Sequence, residues 1–334
     1  MTVEVWTVLP TVATRVVKIA LFIAVGVSLA HLLVAFGLVA KIALFSKYLT
    51  RPANLPDEVG SAIVTTAAST TAGYGMLAEF RESGRLSDRA TLVAVTINTF
   101  FGFVQHIFTF YAPVLIPILG LHVGLMYVGA RALIALGITL VGVLAGAVLL
   151  SGERASQSVV EADGGAESGA AASEPTVTAD HPDTIEGKLR ESARKGYEKT
   201  RDILPRLAVI YTAVALLTAN VDITRATAAA DPLADLVGLP VAAVPVIAVF
   251  ALDTTNGALV IAPLIPGTFT PEQAVATMLV GGIVSFAVST FKRSIPFQYG
   301  IWGAEFGSKV VAVNTALKVV FIAAAVALLL YGPL

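Results

Sequence analysis

Ser69-Thr70-Thr71-Ala72-Gly73 and Asp253-Thr254-Thr255-Asn256-Gly257 are the stretches whose reading decides the fold. They lie about 184 residues apart, and each occupies the middle of a segment, 59–78 and 241–266, that is apolar yet dense in Thr, Ser, Ala, Gly and Pro. The offset persists beyond them. Ala90 matches Ala274, and after a one-residue slip Phe108-x4-Pro113 matches Phe291-x4-Pro296, Gly120 matches Gly303 and Gly124 matches Gly307. Self-similarity at a fixed offset outranks local pattern, so the chain reads as two copies of one unit.

Around these segments the sequence is overwhelmingly apolar. Of 334 residues 56% are hydrophobic and only 13% charged, with a mean hydropathy of +0.82, where ordinary globular chains carry about 25% charged residues. A helix needs roughly 20 apolar residues to cross about 30 Å of hydrocarbon. Six stretches serve: Val16–Ala40, Ala90–Tyr111, Val123–Leu150, Leu207–Val221, Ala274–Phe291 and Val310–Leu330. The first is followed by no Ala-x-Ala cleavage site and is read as a span, not as a removable signal. A net charge of −1 leaves no basic excess for nucleic acid, which is not an expected partner. The absence of cysteine excludes disulfides, thiolate metal sites and cysteine nucleophiles together.

Polar residues concentrate between the copies. Residues 151–187, rich in Ala, Gly, Ser and acidic side chains, predict a disordered linker. Residues 188–206 carry Lys188, Arg190, Arg194, Lys195, Lys199, Arg201 and Arg206 and predict a basic interfacial helix ending before Pro205. The membrane units are then 14–150 and 207–332.

Basic loops favour the cytoplasm. Lys41, Lys47 and Arg51 precede the first Thr-rich segment and Arg81, Arg85 and Arg89 follow it, whereas the uncharged stretch from Ala112 to Leu121 reads as a turn on the other side. In the second copy the pattern is exchanged. Asp222, Asp231, Asp235 and a lone Arg225 approach the segment, Glu272 follows it, and Lys292 and Arg293 occupy the later turn. Each Thr-rich segment therefore has both flanks on one side and reads as a re-entrant hairpin, with two arms of about ten residues reaching about 15 Å. Three spans plus one hairpin per copy give an odd number of crossings. The expected fold is an all-α integral membrane protein with two inverted repeats, each three transmembrane helices plus one re-entrant helical hairpin. Its N-terminus is outside and its linker cytoplasmic, in the cell membrane. Arg15 and Lys18 fall on the unfavoured side of this arrangement, and four full crossings per copy in parallel is the competing account.

Irregular backbone inside a bilayer requires protein or a water-filled cavity to satisfy it. Two hairpin tips entering from opposite faces would present broken-helix backbone and Thr hydroxyls to one central site. The unit resembles the nucleoside-recognition, or gate, domain of concentrative nucleoside transporters, ferrous-iron transporter B proteins and sporulation-maturation membrane proteins. The segment from Lys47-Tyr48-Leu49 to Gly73-Tyr74-Gly75 is similar to compact archaeal and bacterial members. The chain departs from the iron transporters in having no GTPase domain and no cysteine at a hairpin, and it has fewer spans than a complete nucleoside transporter.

The resemblance implies a secondary transporter of a small solute, nucleoside-like or an ion, coupled to Na+ or H+, with no cofactor. The lipid bilayer and the solute are the expected partners, and the reading leaves room for a homo-oligomer. A non-transporting scaffold that binds a protein partner through the linker is the alternative. Candidate substrate-binding residues at the tips are Thr70, Thr71, Gly73, Asp253, Thr254, Thr255, Asn256 and Gly257. Asp253 is costly unpaired in lipid, and it equally suits the cap of the returning arm. Asn98 and Gln105, at helical spacing around Gly102, add a polar stripe. His31 and His106 have the chemistry of a proton relay but read more simply as packing residues, and Glu305 and Lys309 are spaced for an i,i+4 pair. No reactive dyad, Ser-His-Asp order or metal cluster stands out, so no enzyme is expected.

Overall fold

One helix-breaking residue at each repeated tip organises the chain. The computed structural model describes residues 5–36, 47–151, 184–220, 238–289 and 294–332. They form α1 (Val5–Ala35), α2 (Lys47–Thr50), α3 (Asp57–Ala68), α4 (Thr70–Glu82), α5 (Asp88–His106), a π-helical segment (Ile107–Leu115), α6 (Ile116–Leu119), α7 (Leu121–Leu149), α8 (Ile185–Asn220), α9 (Ala243–Leu252), α10 (Thr254–Ile261), α11 (Pro271–Ser289), α12 (Ile295–Trp302) and α13 (Ala304–Tyr331). Among the described residues all regular structure is helical.

Ser69, between α3 and α4, has φ −145° and ψ 109°, and Asp253, between α9 and α10, has φ −153° and ψ 122°. Each side chain caps the helix it begins. Ser69 accepts from Ala72 N at 3.4 Å and Asp253 from Asn256 N at 2.7 Å, so the first orphan donors of the return arm are satisfied locally. Each pair of arms packs tightly because a glycine faces the partner arm. A Cβ on Gly73 would collide with Thr66 Oγ1 and stand 2.7 Å from the Ala62 carbonyl, while one on Gly257 would stand 2.5 Å from Phe250 Cα. The arms have 12 and 13 residues in the first hairpin and ten and eight in the second. The first pair is therefore longer than the ten residues expected.

Both flanks of the first hairpin lie at one end of the bundle. Ahead of it, Asn54 Nδ2 donates to Ala147 O near the end of α7 at 3.3 Å. Behind it, Arg81 pairs with Asp88 at the start of α5 at 2.7 Å. Lys309, near the start of α13, joins that cluster, 3.9 Å from Asp88 and 3.4 Å from Glu305, which makes the expected i,i+4 pair. The starts of α5 and α13 therefore share an end.

Four helical stretches among the described residues are long and apolar enough to cross a membrane: Leu9–Ala35, Asp88–Leu119, Leu121–Leu149 and Ala304–Tyr331. Their outward faces carry large apolar side chains, including Leu21 and Val25 on α1, Leu133, Leu140 and Leu144 on α7, and Val320 and Leu328 on α13. Contiguous surfaces of this kind call for hydrocarbon as their solvent, and the chain is a membrane protein. The other two expected spans, Leu207–Val221 and Ala274–Phe291, fall on α8 and α11, each of which runs up to residues outside the described ones.

Three expectations need correction. The helix of the basic segment 188–206 does not end before Pro205. α8 runs unbroken from Ile185 through Pro205 to Asn220, joining it to the apolar stretch that follows. The reason is tertiary: α8 lies antiparallel along α1, with Lys188 Nζ donating to Ala35 O at 3.1 Å and Arg15 donating to the Tyr211 hydroxyl at 3.0 Å. Packing over that length outweighs the one backbone bond lost at a proline, and Arg15, awkward in the loop-charge pattern, finds its partner there. The stretch from Ala112 to Leu121 is not an open turn either. It is helical as far as Leu119, and the chain reverses at Gly120 alone, with φ 82° and ψ 161°. Pro113 lies within the π-helical register, where Ile116 N donates to Tyr111 O, and the proline forfeits only the one backbone bond that its own amide would have made. Lastly, α1 begins at Val5, well before Val16. The segment 37–46, the acidic linker over 152–183, the approach 221–237 and the basic pair Lys292 and Arg293 lie outside the described residues.

The turn geometry recurs in the second half. Gly303 has φ 74° and ψ 165°, against 82° and 161° at Gly120. Gly124 N donates to Gly120 O and Gly307 N to Gly303 O, both at 2.9 Å. A Cβ on Gly124 would stand 2.8 Å from Ile116 Cα, and one on Gly307 would stand 2.9 Å from Tyr299 Cδ1.

Candidate functional site

Gln105, near the end of α5, holds the first hairpin tip from both sides of its break. Its Nε2 donates to Ala68 O, the last residue of α3, at 3.3 Å, and its Oε1 accepts from the Thr70 hydroxyl, the first of α4, at 2.6 Å. Two turns earlier, Asn98 Nδ2 donates to Thr66 Oγ1 at 2.7 Å. The Thr66 hydroxyl itself donates to Ala62 O at 3.0 Å, so Asn98 must present its amide nitrogen there, and its carbonyl oxygen is left buried with no donor. The polar stripe expected on this helix thus faces the hairpin and fastens it.

Beside this clamp opens a cavity of about 250 Å³. Thr70 and Tyr74 of α4 form one wall; Asn98, Thr99, Gly102, Phe103 and His106 of α5 form the next, with Tyr111 from the π-helical segment. His106 Nδ1 lies 2.9 Å from Gly102 O, consistent with donation to that carbonyl. The remaining walls are two long helices. α7 supplies Arg131, Ile134, Ala135 and Ile138, and α13 supplies Asn314, Lys318 and Ile322. At the offset that relates Gly124 to Gly307, Arg131 corresponds to Asn314 and Ala135 to Lys318. The same face of the corresponding helix in each half therefore lines the cavity.

Arg131 and Lys318 are the residues that the sequence reading missed. Each is the single basic residue within a long apolar helix interior, which is the signal that marks them: ionisable groups inside a span are rare and turned toward protein or water. Arg131 Nη2 donates to the Tyr111 hydroxyl at 3.3 Å, and Lys318 Nζ lies 4.4 Å from the centroid of the Phe286 ring. Among the described residues neither forms an ion pair, and no Asp or Glu lines the cavity. No group of three or more His, Cys, Asp or Glu among the described residues could hold a metal ion.

The ten candidates separate accordingly. Thr70 and Asn98 line the cavity, Gln105 positions Thr70 from behind, Gly73 is buried in the arm contact, and Thr71 is exposed. Asp253, Thr254, Thr255, Asn256 and Gly257 do not line it. Asp253 serves instead as the cap of α10 and Gly257 as the contact point of its hairpin. The difference lies in the residues that fasten each hairpin. Where Thr66 meets Asn98 in the first, the second has the Phe250 ring packed against Gly257 and Gly281.

No family model matches the chain, and no solved structure matches it. It is similar to three uncharacterised proteins of the archaeon Methanocaldococcus jannaschii. One is 25% identical over 308 residues, covering 90% of this chain and 89% of the relative. A second is 23% identical over 312 residues, covering 90% and 93%. A third is 29% identical over 126 residues, covering 38% and 40%. The first two run nearly the full length of both chains, and their names state no activity.

Proposed function

We propose that this protein is a secondary transporter of a small solute, built from two inverted repeats, with its binding site in the cavity between the first hairpin tip, α5, α7 and α13. The observation that carries the reading is a charged and polar cavity deep in an apolar bundle, walled by corresponding faces of α7 and α13. A site at the contact of two repeats, beside a broken helix, is how inverted-repeat carriers bind near the membrane midplane. Inversion is supported by helix directions. α1 and α8, the first long helix of each half, are antiparallel. α13 starts at the end where α5 starts, whereas α7 starts where α5 and its extension finish. The hairpin's resemblance to the nucleoside-recognition domain belongs to the same proposal, as does coupling to Na+ or H+.

Counterflow in proteoliposomes tests it. Vesicles containing the purified protein and preloaded with one member of a panel of nucleosides, carboxylates and phosphate should accumulate the same labelled compound transiently, and protein-free vesicles should not. Absence of counterflow across the panel, from protein that is folded and inserted, would overturn the proposal.

A further inference from the structure

Arg131 lies about 15 Å from the first residue of α7 and Lys318 about 21 Å from the first residue of α13 at 1.5 Å per residue, which is too deep for either to reach a membrane surface by extending its side chain. A cation at that depth needs a counter-charge, water or a ligand. Among the described residues the groups that face these two are neutral: the Tyr111 hydroxyl for Arg131 and the Phe286 ring for Lys318. Phenol and ring temper a charge without cancelling it. The acidic residues near α13, Asp88 and Glu305, sit at its far end and are engaged with Arg81 and Lys309. Among the described residues the cavity therefore holds two positive charges and no negative one, an arrangement that is costly while empty and is relieved when an anion enters.

We infer that the solute is a small anion, bearing a carboxylate or phosphate group held between the Arg131 guanidinium and the Lys318 ammonium. This rests on the carrier reading only for the word solute, because the charge argument concerns binding. A planar guanidinium offers paired donors to such a group while the ammonium acts as a point charge, and Asn314 and Thr70 supply neutral contacts for the remainder of the molecule. The site is thereby distinguished from one built for a neutral nucleoside.

Thermal unfolding of the purified full-length protein in a neutral detergent tests the inference, with malate and inorganic phosphate as anionic probes, adenosine and ribose as neutral ones, and phosphatidylglycerol as a lipid source of the same headgroup chemistry. We expect a saturable rise in Tm with malate or phosphate and none with the neutral probes. Arg131→Gln and Lys318→Gln should each weaken the anion about 10-fold or more, while leaving the unliganded Tm unchanged or higher, since each removes an uncompensated buried charge. Arg131→Lys should retain part of the affinity. Lys309→Gln, in the peripheral ion cluster, should leave it unchanged. No anion-dependent shift, a shift equal in both Gln variants and the parent, or stabilisation by phosphatidylglycerol alone would overturn the inference. Counterflow of a neutral solute without an anion shift leaves the carrier and removes the anion. An anion shift lost in both Gln variants without counterflow leaves the anion site and removes the carrier.

Discussion

Single residues at corresponding places in the two halves do the same backbone work with different chemistry. Ser69 and Asp253 both cap a return helix from an extended conformation. Asp253→Asn, which keeps a capping oxygen, should leave stability within about 0.5 kcal/mol and counterflow unchanged, while Asp253→Ala should cost about 1 kcal/mol; thermal unfolding and uptake of the two variants separate a cap from a solute ligand. Gly120 and Gly303 hold a backbone region that is essentially closed to other residues, so Gly303→Ala should destabilise by about 1–3 kcal/mol. A side chain at Gly257 would meet Phe250 backbone, and Gly257→Ala should cost about 1–3 kcal/mol by overpacking. Gly73 and Gly257 stand in the sequence as candidate solute ligands at the hairpin tips. Both are helical, and their glycine identity answers to the facing arm, which a linear pattern does not display.

At the scale of elements, the first hairpin is a polar-clamped unit and the second an apolar-packed one. Gln105 bridges Ala68 and Thr70 across the helix break. Gln105→Leu should therefore cost about 1–2 kcal/mol and should speed amide exchange over residues 68–72 while leaving the second hairpin's exchange unaltered. The same exchange in both hairpins would show that the clamp does not hold the tip. The interruption of each Thr-rich segment was legible from Thr, Gly and Ser or Asp clustered inside apolar sequence. The helical continuation through Pro113 and through Pro205 was not, because proline signals a lost hydrogen bond, and only the packing around it decides whether the helix bends, widens or stops.

Across the whole molecule, the absence of cysteine allows topology to be read cleanly. In an inverted arrangement, Arg85→Cys after the first hairpin and Gly267→Cys after the second should be labelled by a membrane-impermeant thiol reagent from opposite faces of oriented vesicles. Labelling from one face would favour the parallel account. Deleting Glu161 to Asp180 should leave counterflow within about twofold for a carrier, whereas a scaffold working through its linker would lose function.

By itself the sequence determined that the chain is helical, that it is a membrane protein, and that two matched Thr/Gly-rich breaks interrupt it. These follow from composition, run length and internal offset, which are properties of the chain read in order. Only the tertiary structure decided which polar residues meet. It turned Asn98 and Gln105 onto the first hairpin, left the second tip out of the cavity lining, and brought Arg131 and Lys318, 187 positions apart in the chain, to one cavity between two long helices. A lone basic residue within an apolar helix declares that it needs a partner. Which partner it has, and whether a carboxylate stands nearby, depends on the rotation and direction of the neighbouring helices, and that is set by packing between segments far apart in sequence.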